Sequence, residues 1–459
     1  MRPLQRKIVR SLPSELPVLL IGGGLANLSL AQTFHRNGLV PKVDYRIFDS
    51  YSATSKPNYS LTLHEWSLRP MEKLFRKKNW LDKAAVDRAA GGVGMVESKI
   101  FDLESGKPVG ELELENGGRS VRANRGSLKD LLTDGLEVEY KKVFKRFEHV
   151  KDGTGREGIQ AFFDDGSHAF GSALIGADGV HSTVRKQLLP SVEPTVSPVV
   201  CFTGQWTLPS PTLLTGPIPY HLRVDNDTYR VDVASYTAFS TTYNRFDKDK
   251  AQMQWIYLRL PTGSDDPLWT PDRSLDKARE IPDELYIELE DLGKKTEKEY
   301  SRFVLGVKKG DGDAQYNWLM RCLRLPPLDE LNKLKSQVEG GDRVFLIGDA
   351  AHAMPIFMGD GGNHALKDGH DLGQVLSKVI RAQDQAHYES RSTEPKSSEP
   401  VLTALREFEA GALDRWGKAV DKSELRLLSL FKPIEEWRTA SGVEAGEGEE
   451  GSKPQEITL

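Results

Sequence analysis

Residues 343–368, RVFLIGDAAHAMPIFMGDGGNHALKD, place a buried strand, an acidic turn and a glycine-rich helix entrance within about one βα unit. RVFLIG is an apolar, β-branched run of strand length stopped by Gly348. Asp349 is therefore delivered to the carboxyl end of a strand, where open α/β sheets bind ligands. A carboxylate there accepts hydrogen bonds from sugar-like hydroxyls. Gly359, Gly361 and Gly362 let the backbone approach a ligand, and Asn363 to Val379 reads as a helix whose unpaired amides point back at the same place. The positive end of its dipole favours an anion.

The 459 residues suffice for two domains, and 38% apolar with 28% charged residues is ordinary for a soluble globular chain. A net charge of −5, with no basic tract longer than a helix face, argues against nucleic acid as a partner. Cys201 and Cys322 each stand alone in apolar context, so neither a disulfide framework nor a zinc site is indicated. No histidine pair has metal-ligand spacing with a carboxylate facing it, and no metal is expected. Arg2, Arg6, Lys7 and Arg10 precede an apolar run from Leu16 to Ala31, as in a signal peptide, but Gly22, Gly23 and Gly24 would interrupt a signal helix. With no other run long enough to span a membrane, the expected location is cytoplasmic.

PVLLIGGGLANLSLAQTFHRNG, residues 17–38, reads as a strand, a glycine turn and a helix, the logic of a dinucleotide loop. Gly22 makes the tight turn and Gly24 lets a pyrophosphate lie at the helix N-terminus. The third fingerprint position is Asn27, so a displaced helix or a local side-chain cap is expected there. VDYRIFD ends a second strand in Asp49, placed to hold a ribose 2′-hydroxyl. Glycines 91, 92 and 94 lack a preceding strand and are assigned to turns before a β-hairpin or meander. Arg122 and Arg125 fall at the entry to an amphipathic helix, where the dipole disfavours a cation unless an anionic partner is near. FGSALIGADGVHSTVRKQLL, residues 170–189, repeats the strand-to-acidic-turn pattern at Asp178, which suggests two carboxylates gripping one extended ligand.

Three blocks, Gly22 to Gly24, Gly176 to Arg185 and Gly348 to Asp368, carry a resemblance. GADGVHSTVR and GDAAHAMPIFMGDGGNHALKD are similar to motifs of the aromatic-ring-hydroxylating, single-component FAD-dependent monooxygenases. This is the p-hydroxybenzoate hydroxylase-like family, with its salicylate hydroxylase-like and tetracycline-inactivating members. The resemblance spans about residues 15 to 200 and 340 to 430. It implies that Asp349 binds ribityl or pyrophosphate oxygens of FAD, Asp49 the adenosine ribose, and Arg125 the phosphate region. Asp178 is implied in holding the fold around FAD and NADPH or NADH. Gly359, Gly361, Gly362 and Asn363 complete the cofactor-binding set. Pro355 keeps one of two prolines common beside the flavin; Ile356 replaces the second, and Asp360 stands where Gln or Lys is common.

The implied fold is α/β: a Rossmann-like FAD-binding domain with a parallel sheet, an inserted mostly antiparallel β-sheet substrate domain, and a C-terminal helix. The expected boundaries are 1–195 and 328–432 for the FAD-binding domain and 196–327 for the substrate domain, with about 91–123 able to join the substrate-domain sheet. Residues 381–400 are expected as a flexible loop and 433–459 as a disordered tail. VVCFTGQWTL, TYRVDVASYTAFSTTYN and QMQWIYLRLP are the strand-like runs of the inserted sheet. Gln205, Arg223, Tyr236 and Phe239 are candidate pocket residues, although alternation leaves open which face points inward.

With one dinucleotide loop, NAD(P)H must bind transiently against the flavin. The resemblance then implies that a flavin C4a-hydroperoxide hydroxylates an electron-rich carbon of a phenol, indole or polyketide, with O2 as co-substrate. The flavin carries the chemistry, so no catalytic side chain is assigned; His352 and Pro355 are candidates, His352 being read first as a turn residue. A FAD-dependent epoxidase, a dehydrogenase or oxidase, and a non-catalytic flavin-binding protein stay open, as do the substrate, the choice of nicotinamide and the oligomeric state.

Overall fold

The computed structural model describes residues 16–39, 45–55, 59–76, 80–85, 99–111, 120–209, 229–245, 250–310, 313–356, 359–391 and 396–442. Five strands pair in parallel in the order β19-β11-β1-β2-β7: β1 (Val18–Ile21), β2 (Tyr45–Asp49), β7 (Val138–Tyr140), β11 (Ala173–Gly176) and β19 (Val344–Leu346). β1, β11 and β19 are buried throughout, as strands covered on both faces require. Their register sets Ile21 beside Gly176 and Gly176 beside Leu346. The three motif blocks thus leave the sheet from neighbouring strand ends.

The helices are α1 (Leu25–Arg36), α2 (Glu65–Phe75), α3 (Arg125–Thr133), α4 (Thr183–Leu188), α5 (Asp283–Lys295), α6 (Lys298–Leu305), α7 (Leu328–Ser336), α8 (Asp349–His352), α9 (Asp360–Glu389), α10 (Glu399–Ser429) and α11 (Ile434–Ser441). α9 lies against α1 so closely that a Cβ on Gly369 would sit 2.0 Å from the Ala26 carbonyl oxygen, and one on Gly373 2.6 Å from the Thr33 Cβ. Ser29 Oγ donates to the Leu366 carbonyl at 2.8 Å across the same contact.

A seven-stranded sheet has the order β17-β13-β16-β15-β14-β4-β5, formed by β4 (Lys99–Asp102), β5 (Pro108–Glu111), β13 (Val200–Pro209), β14 (Tyr229–Ala234), β15 (Thr237–Arg245), β16 (Lys250–Arg259) and β17 (Asp313–Asn317). Pairing is antiparallel except between β14 and β4. Side chains alternate between two cores. Phe202, Phe239 and Trp255 pack with Leu285, Tyr300 and Phe303 of α5 and α6. Cys201, Ala238 and Leu258 pack on the opposite face with Leu427 of α10, Leu430 at its C-cap and Trp437 of α11. Smaller sheets pair β3 (Ser60–His64) with β6 (Ser120–Asn124), β12 (Thr195–Val196) with β18 (Arg321–Cys322), and join β8 (Phe144–Lys151), β9 (Glu157–Phe163) and β10 (His168–Gly171).

Several expectations need correction. α9 runs to Glu389, so the first nine residues of the expected 381–400 loop are helical. No proline or glycine stops that helix after Gly373, and Ile380 on its inner side is buried. The run 228–244 is a hairpin, not one strand: it reverses at Ser235 and Tyr236, the latter with φ +60°. Within the expected disordered tail, α11 is ordered because Ile434 and Trp437 find an apolar surface on the large sheet; residues 443–459 lie outside the described residues. β4 and β5 join the large sheet, whereas β6 pairs with β3, dividing the 91–123 segment. The helix expected after Arg122 begins at Arg125, capped by Asn124 Oδ1 on the Ser127 amide. Glycines 91, 92 and 94 lie outside the described residues. No helix among the described residues is long and apolar enough to cross a membrane, and none of their His, Cys, Asp and Glu groups could hold a metal ion.

Candidate active site

Gly22 has φ +97°, and a Cβ there would meet the Ala177 carbonyl oxygen at 2.4 Å, so the turn from β1 to α1 admits only glycine. Gly24 caps α1 without a side-chain hydrogen bond, which leaves first-turn amides open to a ligand. Asn27, the departure from the glycine fingerprint, is fully buried and donates its amide to the carbonyls of Ile21 and Gly22, each at 3.0 Å. It ties the helix to the strand end, the local side-chain solution expected of it. Beneath the loop lies Asp49, whose Oδ2 would be 2.5 Å from a Cβ on Gly23. Lys129 of α3 donates to that oxygen at 2.5 Å, and the Tyr51 amide donates to Oδ1 at 3.0 Å.

Asp349 begins α8 directly after Gly348, whose φ of +60° turns the chain off β19. A Cβ on Gly348 would lie 3.3 Å from the Ala26 Cβ, and one on Gly361 3.6 Å from Asp349 Oδ1. The first and third blocks therefore meet at one place. The Asp349 side chain is open to solvent and accepts no hydrogen bond from any described residue, yet protein surrounds it. That crowding pushes its pKa above the ordinary carboxylate range, opposed by His352 and Arg125. α9 has Gly359 as N-cap, at φ +73° and with no side-chain cap, so its first amides are also open beside Asp349. Arg125 stands half-buried over Tyr59 at 5.5 Å, with no ion-pair partner among the described residues.

The other candidates are tied into the scaffold. Asp178 Oδ1 accepts from Ser182 Oγ at 2.5 Å and Oδ2 from the Thr183 and Val184 amides at 2.8 and 3.2 Å. Both oxygens are spent on α4, which corrects the reading of a second ligand-gripping carboxylate in favour of holding the fold. Asn363 is buried; its amide donates to the Thr62 and Gly359 carbonyls and its oxygen accepts from the His64 amide and Ser67 hydroxyl. What it offers a ligand is backbone. His352 is buried with its Nε2 2.5 Å from Asp368 Oδ2, while Asp368 also accepts from Arg415, Trp416 and the Gly348 amide. Burial would raise the Asp368 pKa, but His352 and Arg415 hold it far below the ordinary carboxylate range. Pro355 is buried, its carbonyl accepting from Ser423 Oγ at 3.4 Å. Asp360, at the mouth of α9, accepts from Arg426 at 3.0 Å and lies 3.4 Å from His64 Nε2. His364 is held neutral, its pKa lowered to about 4 chiefly by burial and by His352.

Of the pocket candidates, Gln205 falls on the sheet face that carries Cys201 and Leu258 and meets Ile356. Phe239 falls on the other face, fully buried against Trp255 and Tyr300, and Tyr236 is half exposed at a hairpin turn with its amide on Lys432. Strand parity and the turn thus place both away from the face that carries Gln205. Arg223 lies outside the described residues. Sequence reasoning passed over Lys129, Arg185, Gly369, Gly373 and Arg426. Arg185 is buried and donates to the Ala350 and Val180 carbonyls, linking the second block to the third. Only the α9 glycines left a signal, their four-residue spacing on one helix face.

The arrangement suits an elongated dinucleotide. Two uncapped helix ends offer amides to anionic groups, Asp49 and Asp349 offer acceptors to hydroxyls, and glycines clear the path between them. A family model described as FAD binding domain matches residues 15–199 and 332–397. The FAD-dependent monooxygenase vrtH of Penicillium aethiopicum is 30% identical over 451 residues, covering 92% of this chain and 94% of the relative. The FAD-dependent monooxygenase aptC of Emericella nidulans is 28% identical, covering 92% and 97%. In fold, the chain is similar to Klebsiella pneumoniae HpxO complexed with FAD and uric acid, at TM-score 0.62, 19% identity and 94% and 92% coverage. It is similar also to 2,6-dihydroxypyridine-3-hydroxylase of Arthrobacter nicotinovorans, at TM-score 0.64, 18% identity and 91% and 93% coverage.

Proposed function

Because this chain belongs to the FAD-dependent monooxygenases that carry an FAD binding domain, we propose that it uses NADPH or NADH and O2 to hydroxylate an aromatic, indole-type or polyketide small molecule. The observation that carries this reading is the Asp349 carboxylate, without a hydrogen-bond partner among the described residues, beside the uncapped end of α9 and one residue after Gly348, which packs on the start of α1 at Ala26. FAD, when bound, supplies the redox chemistry, accepting hydride from the nicotinamide and activating oxygen once reduced.

The chain's own groups bind, orient and shield. The amides at the start of α1 hold pyrophosphate, with Arg125 supplying positive charge nearby. Asp49, pinned by Lys129, accepts from the adenosine ribose, and Asp349 from ribityl or pyrophosphate oxygens. The amides at the start of α9 would offer a positive dipole end to the negative charge of a bound flavin. Asp360 would cancel part of that field, but its carboxylate is drawn to Arg426 and His64. Ile356 and the stretch of the large sheet around Ile256, beyond the part covered by α10 and α11, would exclude water from the bound flavin ring.

The domain division that accompanies this reading assigns 1–195 and 328–432 to FAD and 196–327 to substrate. The test is an aerobic turnover assay against phenols, indoles and fused-ring polyketides. Nicotinamide oxidation, oxygen uptake and peroxide are followed, with mass spectrometry for a gain of one oxygen. A yellow protein that gains substrate-stimulated nicotinamide oxidation and an oxygenated product supports the reading. A colourless protein that takes up no FAD, or a loaded one that the nicotinamides fail to bleach, rejects it.

A further inference from the structure

The face of the seven-stranded sheet that meets Ile356 changes character along its length. Cys201, Ala238 and Leu258 are covered by α10 and α11. Further along the same strands the register aligns Thr203 with Ile256 and Ile256 with Ser240, then Gln205 with Gln254 and Gln254 with Thr242. Apolar cover thus gives way to a polar patch around Ile256, and Ile256 and Ile356 of the third block both pack against the apolar core of this face. Ser240 is only 1% exposed, and its hydroxyl is buried without a hydrogen-bond partner among the described residues. The Gln254 Oε1 is likewise buried and unpartnered.

Leaving such an atom unpaired costs about 1–3 kcal/mol. The two residues are diagonal cross-strand neighbours, about 7 Å apart, close enough for one ligand to satisfy both. Arg230 and Asp232 of β14 point into the opposite core with Phe101 and Tyr300, and the one charged pair among the described residues of this face, Asp102 of β4 with Arg438 of α11, lies at its far edge and is closed on itself.

Resting on the function proposed above, we propose that Gln254 and Ser240 are substrate-reading residues and that the substrate is an uncharged, hydroxylated fused-ring compound. A phenolic hydroxyl donates to Gln254 Oε1, and a second ring oxygen shares a hydrogen bond with the Ser240 hydroxyl. Gln205 and Thr242 flank the pair, and Ile256 supports the ring between them. A ring bearing a carboxylate is disfavoured, because among the described residues around Ile256 there is no cation to pair with it.

The test uses the FAD-loaded protein, titrated with 2,6-dihydroxynaphthalene, its dimethyl ether and naphthalene-2,6-dicarboxylate while the flavin absorbance reports binding. The expected result is that the diol binds about tenfold tighter than either analogue, the worth of one buried hydrogen bond. Gln254→Leu should bring diol and ether to equal affinity. Gln254→Glu, which keeps an acceptor, should retain the preference, and Ser240→Ala should weaken the diol alone. No binding of the diol, equal binding of diol and ether by the unaltered protein, a preference for the dicarboxylate, or an undiminished preference in Gln254→Leu would overturn the proposal. Should Gln254→Leu lose its flavin, Ser240→Ala and Gln254→Glu carry the test. Flavin reduction by NADPH or NADH is measured on the same samples. Reduction without diol preference sinks this proposal alone, whereas absence of reduction sinks the functional reading beneath it.

Discussion

At the scale of single residues, Asp349 sets native stability against cofactor affinity. A carboxyl whose folded pKa is raised holds its proton more tightly in the native state, so its ionisation costs stability once pH exceeds the ordinary carboxylate range. Asp349→Asn should therefore raise the melting temperature of the apoprotein at neutral pH, with the two proteins converging as pH falls through that range. The same substitution should weaken FAD at least about tenfold, by loss of a charged hydrogen-bond acceptor, as titration of apoprotein fluorescence will show. Lys129 makes a second, independent case. Its ammonium pins Asp49 at 2.5 Å in a largely buried setting, so Lys129→Met should weaken FAD about tenfold while leaving FMN, which has no adenosine, unchanged. Equal losses for FAD and FMN would place Lys129 outside the adenosine end.

At the scale of elements, the contact between α1 and α9 brings the dinucleotide loop to the acidic turn. Glycines at 369 and 373 let the two helices approach to backbone distance. Gly369→Ala should push them apart, costing about 1–3 kcal/mol in urea unfolding and lowering FAD affinity although no ligand atom is near. The entrance of α9 was legible in Gly359, Gly361 and Gly362 to within three residues, the helix starting at Asp360 and not at Asn363, because helix entrances are marked by local residues. Its end at Glu389 was not, because a polar surface face looks like a loop until Ile380 is seen to be buried. For the same reason α11 was hidden: Ile434 and Trp437 are two apolar residues beside a low-complexity tail, and only the sheet under them makes a helix worthwhile.

At the scale of the whole molecule, α10 connects the acidic turn at Asp349 to the seven-stranded sheet. Its Arg415 and Trp416 meet Asp368 behind Asp349, and its Arg426 meets Asp360 at the mouth of α9. Burial works against ionised Asp360, but His64 and Arg426 hold its pKa below the ordinary value. A depressed carboxylate contributes stability that is present above its unfolded pKa and lost as pH falls through the folded one. Arg426→Met should thus cost about 3 kcal/mol at neutral pH, with the difference shrinking in acid, measured by thermal melts across pH. If the cost were the same at every pH, Arg426 would be acting through packing alone.

The three motif blocks, the parallel sheet and the dinucleotide loop followed from the chain alone, because strand-end carboxylates and turn glycines are local requirements that residues 22–24, 176–185 and 348–368 state directly. Side-chain destinations did not follow. Asp178 and Phe239 were plausible ligand contacts until the fold turned one onto α4 and the other toward α5 and α6. The partners that decide such cases come from other elements of the chain: Phe239 meets Trp255 and Tyr300, and Arg426 reaches Asp360 across 66 positions. Only tertiary packing, which selects one face of each strand and one partner for each buried charge, settles them.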